Sequence, residues 1–396
     1  MAISSTAQKI NASANEIEGI LRASTEIIEF AQTEAGFVDY ETGFPAETFG
    51  QIAALGLLTA PLAHGDGGFD LNGAKPAATL PLLRLLKNIG RGNLAVGRIF
   101  EGHVNALLLV SLYGAPEQIK TFSADARAGK IFGVWNTEAA DGVKIFPAGN
   151  NKYRLEGAKT FASGAGFVTR PFVNCAFPDG GWQMCVVPME KVATKTDESW
   201  WQPLGMRATR SVKVDFTGVE LDAKDLIGKP GDYYKQPWFG GGAIRFAAVQ
   251  LGGAEALFDE TRKYLQKLDR TADPFQRARA GEMAIGIESG NLWLEGASRA
   301  FDTYLQSPQA FADTESLLAY VNLMRTAIET ICLNVITLCE KSVGARGLMR
   351  PQLFERVIRD LTIYLRQPAP DAALADAGRF VLEKEISADS LWRDQK

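Results

Sequence analysis

The chain has 396 residues, 46 % of them apolar, with 42 basic against 46 acidic side chains and a formal charge of −4. At roughly 100–200 residues per domain, that length allows two or three domains with a core that needs no covalent staples. The slightly acidic balance excludes nucleic acid as a partner class, four cysteines are too few for a disulfide framework, and two histidines supply no zinc-protease pair.

Residues 1–130 read as a helical domain. Ile17, Ile20, Leu21, Ile27, Ile28 and Phe30 recur at helical spacing, and Ala- and Leu-rich stretches follow near 46–58, 74–90 and 93–112. The polar start MAISSTAQKI has no signal-peptide core, and no uninterrupted apolar run reaches the roughly 18–20 residues of a membrane span. The expectation is therefore a cytoplasmic protein with reduced thiols. Residues 61–73, dense in glycine and aspartate, form a loop; Asp66, Asp70 and Asn72 miss the calcium-loop spacing, so no metal site is expected.

From 131 to 235 the texture changes to short apolar or alternating runs at 131–136, 152–155, 171–177, 182–187 and 211–216, separated by turns such as Gly149-Asn150-Asn151 and Pro178-Asp179-Gly180-Gly181. Period-two spacing without intervening helices predicts an antiparallel sheet or barrel. Helical periodicity returns over 236–396. In 313–343, Leu317, Val321, Met324, Ile328, Ile331, Val335 and Leu338 make one apolar stripe, and helices near 243–268, 274–305, 351–365 and 371–385 complete a bundle. Cys332 and Cys339 lie on the same predicted helix about 10 Å apart by its rise, too far to bridge. The fold class is thus α+β: helices, a β domain, then a four-helix-type bundle. No dinucleotide fingerprint, P-loop or nucleophile elbow is present.

Several strings, in order, resemble the acyl-CoA dehydrogenase superfamily over nearly the whole chain. They are Phe44-Pro45-Ala46-Glu47 with Ala54-Leu55-Gly56-Leu57, Trp135-Asn136-Thr137-Glu138, Leu155-Glu156-Gly157-Ala158-Lys159, Leu204-Gly205-Met206-Arg207-Ala208-Thr209, and Gly344-Ala345-Arg346-Gly347 followed by Arg359-Asp360. The resemblance implies a flavin, FAD or alternatively FMN, between the β domain and the bundle of a homotetramer or homodimer. Val134, Asn136 and Thr137 would then present backbone and hydroxyl groups to the ring, Phe161 would pack on it, and Ser163 would sit near its N5. Lys341 and Gly344 would serve the cofactor's far end, and Arg245 a phosphate-bearing end of a small-molecule substrate such as an acyl-CoA. The ordinary structural reading makes Phe161 a core residue, Thr137 and Ser163 strand hydroxyls, Lys341 a solvated helix-end residue and Arg245 the partner of a carboxylate.

The sequence departs from that family at the base. A dehydrogenase removes a proton beside the thioester carbonyl with a carboxylate. The commonest family position for it, eight residues after Asp360, is Pro368, and the alternative falls near Gly242 to Ile244. The flavin loop is shortened to Thr137-Glu138-Ala139-Ala140-Asp141-Gly142, and Arg270 is followed directly by Thr271-Ala272-Asp273-Pro274, without the family's diphosphate segment. Three functions follow: a flavin oxidoreductase acting on a CH–CH donor such as an acyl thioester; a flavin-dependent monooxygenase, which needs no carboxylate base and for which His103 and Ser163 are candidate catalytic residues, His103 reading equally as a packed or capping residue of the helix 93–112; or a non-catalytic member that binds a ligand or partner.

Overall fold

The computed structural model describes residues 2–306, 314–366 and 368–392. Residue 313, the first of the stretch predicted to form the striped helix, lies outside them. The N-terminal part comprises Ala2–Phe37 (α1), Ala46–Ala54 (α2), Thr79–Gly92 (α3), Leu94–Tyr113 (α4) and Pro116–Arg127 (α5). Ten strands follow: Phe132–Trp135 (β1), Lys144–Gly149 (β2), Lys152–Glu156 (β3), Ala158–Ala162 (β4), Arg170–Ala176 (β5), Trp182–Val186 (β6), Lys195–Asp197 (β7), Val212–Asp215 (β8), Glu220–Asp222 (β9) and Leu226–Ile227 (β10). The chain then forms Ala243–Lys267 (α6), Pro274–Gln306 (α7), Thr314–Gly347 (α8), Leu353–Tyr364 (α9) and Pro370–Glu383 (α10).

The strands form two sheets, one in the order β10-β6-β5-β2-β3-β9 with β1 added beside β5, the other β4-β8-β7. Pairing is antiparallel, as the sequence predicts, except that β1 runs parallel to β5, with Val134 opposite Phe172, and β2 touches β5 in parallel at Lys144. The crossover is supplied by the β2–β3 hairpin and β4 rather than by a helix, a route that apolar periodicity along a single strand does not reveal.

Asn93 starts α4 by accepting a hydrogen bond from the Ala95 N–H at 2.9 Å through its side chain. Both α4 and α8 are apolar enough on average to cross a bilayer, although no unbroken apolar run marks them, but 83 % of the most apolar window of α4 is buried inside the fold. Close packing at Gly97 explains part of that burial: a Cβ there would run into Val249 Cγ1 of α6 and stand 3.2 Å from the Gly90 Cα of α3. A Cβ on Gly90 would meet the Val249 carbonyl at 2.3 Å, and one on Gly252 would meet the Lys87 carbonyl at 2.1 Å, so α3 and α6 pack backbone to backbone. The stripe on α8 faces inward through Leu317, Val321, Met324, Ile328, Val335 and Leu338, with Ile331 half-buried at its edge. All four cysteines are buried thiols.

The bundle is tied to the β domain by the loop at 204–207. A Cβ on Gly205 would meet the Arg359 carbonyl at 2.2 Å. Beside it, the Met206 N–H donates to Asp360 Oδ1 at 2.5 Å and Arg359 Nη1 donates to the Leu204 carbonyl at 3.1 Å. The Leu-Gly-Met-Arg string and the downstream Arg-Asp pair are thus two halves of one interdomain contact, in which glycine is required because the two backbones touch.

Candidate functional site

A cavity of about 530 Å³ lies between the β domain and the bundle. Val134, at the end of β1, with Asn136 and Thr137 just beyond it, forms one wall, and Phe161 of β4 extends that wall. Phe161 sits where the β4–β8 register slips between Lys159 and Ala162, with φ at 51°. A bulge of this kind re-aims a side chain, and an aromatic residue at positive φ is held there by its surroundings. Trp200 packs edge-on against its ring at 4.8 Å between centroids. The opposite wall comes from α4, from the start of α6, and from Tyr364, Pro368 and Ala369.

One connected stretch of the cavity wall is charged. Arg98, Glu101 and Asn105 lie at i, i+3 and i+7 on one face of α4, and all three reach it. Arg98 Nη1 bonds Glu101 Oε2 at 2.5 Å, the Asn105 amide donates to Glu101 Oε1, and Arg245 Nε donates to Asn105 Oδ1. Burial works against the Arg98 cation, but Glu101 with the nearby Tyr364 and Tyr233 oxygens raises it above its ordinary value. For Arg245 burial wins and the guanidinium is lowered, with Glu101 and Tyr233 offsetting only part of the cost. Burial, with Glu101 adding to it, pushes the Tyr364 phenol well up. Its hydroxyl is buried and has no hydrogen-bond partner among the described residues.

Of the residues proposed from sequence, Val134, Asn136, Thr137, Phe161 and Arg245 meet at this cavity, together with Pro368 and Gly242 from the two base positions. The others lie elsewhere. His103 is fully buried: its Nε2 donates to the Leu58 carbonyl at 2.8 Å and its Nδ1 accepts from the Phe132 N–H at 3.1 Å. Burial lowers its pKa to about 4, with the bond to Leu58 pulling the other way. Nε2 thus ties α4 to the 57–59 turn and Nδ1 ties it to β1, and His103 is not among the residues that line the cavity. Ser163 Oγ is bonded to Ser211 Oγ at 2.7 Å, and Ser211 to Thr209 at 2.7 Å; this chain of hydroxyls is not on the cavity wall. Lys341 and Gly344 occupy the exposed last turns of α8, also off the wall, where the Lys341 carbonyl accepts from Arg279 Nη1 at 3.2 Å.

Sequence reasoning missed Glu101, the one carboxylate among the residues lining this cavity, along with Arg98, Asn105, Arg325 and Tyr364. The signal for the α4 set was present, since three polar residues share one face of an otherwise apolar helix. Glu101 stands on α4 and not at either family base position, and its two oxygens accept from Arg98 and Asn105. Pro368 occupies the cavity wall, and its carbonyl accepts from Arg325 Nη1 at 2.7 Å.

Residues 232–365 match the family described as Acyl-CoA dehydrogenase, C-terminal domain. The chain is similar to a dibenzothiophene monooxygenase of Mycolicibacterium goodii, 22 % identical over 395 residues that cover 92 % of this chain and 94 % of the relative. It is also similar to a probable FMNH2-dependent monooxygenase of Pseudomonas putida, 23 % identical, covering 92 % of this chain and 94 % of that protein. The FMN-bound crystal structure of TdsC, the dibenzothiophene monooxygenase of Paenibacillus sp. A11-2, superposes with a TM-score of 0.81 at 21 % identity, covering 94 % of this chain and 99 % of that one, which establishes a shared fold.

Proposed function

We propose that this chain, which belongs to the acyl-CoA dehydrogenase superfamily, is a flavin-dependent monooxygenase that uses reduced FMN rather than a dehydrogenase of acyl thioesters. The observation that carries this reading is the cavity's lack of an available base: proline and glycine stand at the two family positions, and the carboxylate present is held by Arg98 and Asn105. A dehydrogenase cannot work without that proton acceptor, whereas oxygen insertion does not require one. The relatives named as monooxygenases, one of them FMNH2-dependent, point the same way.

The wall at Val134, Asn136, Thr137 and Phe161 fits a flavin ring by its chemistry, with an apolar and aromatic face, and an amide and a hydroxyl at the edge where ring nitrogens and carbonyls need partners. Lys341 and Gly344, which FAD's adenosine half would need, stand off that wall, so FMN is the better match. When bound in its reduced form, the flavin supplies two electrons to O2, one oxygen atom entering the substrate and the other leaving as water. In this reading Phe161, braced by Trp200, holds the ring plane, Thr137 and Asn136 fix its edge, and Phe246 and Phe239 with the α4 wall keep bulk water from the reacting face.

The test begins with the purified protein titrated with FMN and FAD. Tight FMN binding is expected, and aerobic turnover with a flavin reductase should then add 16 mass units, with 18O from labelled O2, to an aromatic sulfur or nitrogen heterocycle. Anaerobic bleaching of the flavin by acyl-CoAs, or failure to bind either flavin, overturns the proposal.

A further inference from the structure

The charged stretch of the cavity wall carries more positive charge than its one carboxylate can balance. Arg98 and Arg245 face one Glu101, and Arg98 already holds that carboxylate. Arg245 is 5 % exposed, yet its only hydrogen bond to another side chain among the described residues is from Nε to the neutral Asn105. No carboxylate of the described residues lies within ion-pair distance of it. Its Nη2 is left beside Gly242, where a Cβ would stand 3.1 Å from that nitrogen, so the glycine keeps space open next to the guanidinium. Tyr364, 3 % exposed and on the same cavity, contributes a buried hydroxyl with no partner among the described residues.

A desolvated cation and an unsatisfied donor on one cavity wall cost free energy unless something negative meets them. We propose that this stretch of the wall is an anion subsite, and that the substrate carries a small oxyanionic substituent (a carboxylate, sulfinate or sulfonate) received by Arg245, with the Tyr364 hydroxyl on the same cavity as a further donor. The planar guanidinium offers its free Nη edge to two oxygens at once, and the phenol adds a third donor. The rest of the substrate lies among the aromatic residues Phe161, Trp238, Phe239 and Phe246 that line the same cavity. The burial of Arg245, which lowers its pKa, is consistent with a charge that gains by receiving a ligand. This inference rests on the reading of the cavity as a substrate pocket, but not on flavin chemistry.

The experiment is calorimetric titration of the whole protein, with and without FMN, using benzoate and its neutral near-isostere benzamide. Benzoate should bind at least about tenfold more tightly, the scale of a charge-assisted contact made away from water. Arg245→Met should abolish the preference, Arg245→Lys should keep part of it, and Tyr364→Phe should weaken benzoate about threefold while leaving benzamide unchanged. Equal binding of the two ligands, no measurable binding of either, or a preference that survives Arg245→Met overturns the subsite. If FMN fails to bind while the benzoate preference holds, the monooxygenase reading falls and the subsite stands. If FMN binds and the preference is absent, the reverse holds. Unfolding curves of Arg245→Met guard against a collapsed variant.

Discussion

Two arginines are buried to nearly the same degree and are treated in opposite ways. Arg170, 4 % exposed at the start of β5, is surrounded by carboxylates: Nε donates to Asp125 at 2.6 Å, and Nη1 and Nη2 donate to Glu190 at 2.5 and 2.6 Å. Burial works against its charge, but Glu190 and Asp125 outweigh burial and raise its pKa. The same contact holds Glu190 down to about 2, with the Arg170 bond as the main cause. Arg245, at 5 % exposure, has a neutral amide instead and is lowered. The first arginine is complete as a rivet between α5 and β5. The second is complete only when the cavity holds something negative. Where a buried charge is paired its role is architectural, and where it is left short at a cavity wall its role is recognition.

The largest expected effect tests the paired member. Arg170→Met strands Asp125 and Glu190 against each other at a part-buried site and should cost about 3–5 kcal/mol in denaturant unfolding, with Lys130, 2.7 Å from Asp125, as the remaining counter-charge. Benzoate discrimination by the folded fraction should be unchanged. A variant as stable as the parent would remove the distinction between the two arginines.

Next in size are two buried, titratable groups whose effects oppose each other. His103 is held at about 4 when folded, by burial above all, against 6.5 as a free group. It therefore supports the fold above about pH 6.5, and that support is lost as pH falls toward 4. Burial also dominates Asp360, which it raises to about 6 from 3.8, with Arg356 and the Met206 N–H opposing. Its contribution is present at low pH and is lost as pH rises from 3.8 through 6. Each is worth about 3 kcal/mol across its window, so in the parent protein they nearly cancel. Relative to the parent, His103→Gln should gain stability as pH drops from 6.5 to 4, and Asp360→Asn should lose it. Melting curves at half-unit pH steps check both, and parallel profiles for all three proteins would refute the linkage.

Gly205→Ala is expected to cost about 1–3 kcal/mol, because its methyl would press on the Arg359 and Asp360 backbone. It also asks whether the interdomain clamp is separable from the cavity. The melting temperature should drop while benzoate discrimination stays, and loss of discrimination without loss of stability would show that the clamp shapes the pocket.

The legible parts of the molecule are those written along one element. The stripe from Leu317 to Leu338 needs only the helical period, and the runs at 171–177 and 182–187 sit under β5 and β6. The helix Pro116–Arg127 was not singled out, since only Phe122, Ser123 and Ala126 are buried along it. The β1–β5 pairing was invisible because it joins strands some forty residues apart. At the cavity, Val134, Asn136, Thr137 and Phe161 were reached through motif strings, whereas Tyr364 and Arg325 come from separate helices that only the tertiary fold brings together. His103 is the converse case: a lone histidine on an apolar helix reads in sequence either as a catalytic group or as a packed or capping residue, and here both nitrogens are consumed by backbone.

The smallest expected effect on stability bears most directly on function. Arg245→Met replaces a desolvated cation by an apolar chain of similar length, and Asn105, which receives its Nε, keeps its bond to Glu101. Removing a buried charge that lacks a counter-ion should therefore leave stability within about 1 kcal/mol of the parent or raise it, in contrast to Arg170→Met. The same substitution should abolish the benzoate preference. A loss comparable to that at Arg170 would mean that Arg245 is held by Glu101 across the cavity as a structural ion, and the contrast between the two arginines would then be one of geometry alone.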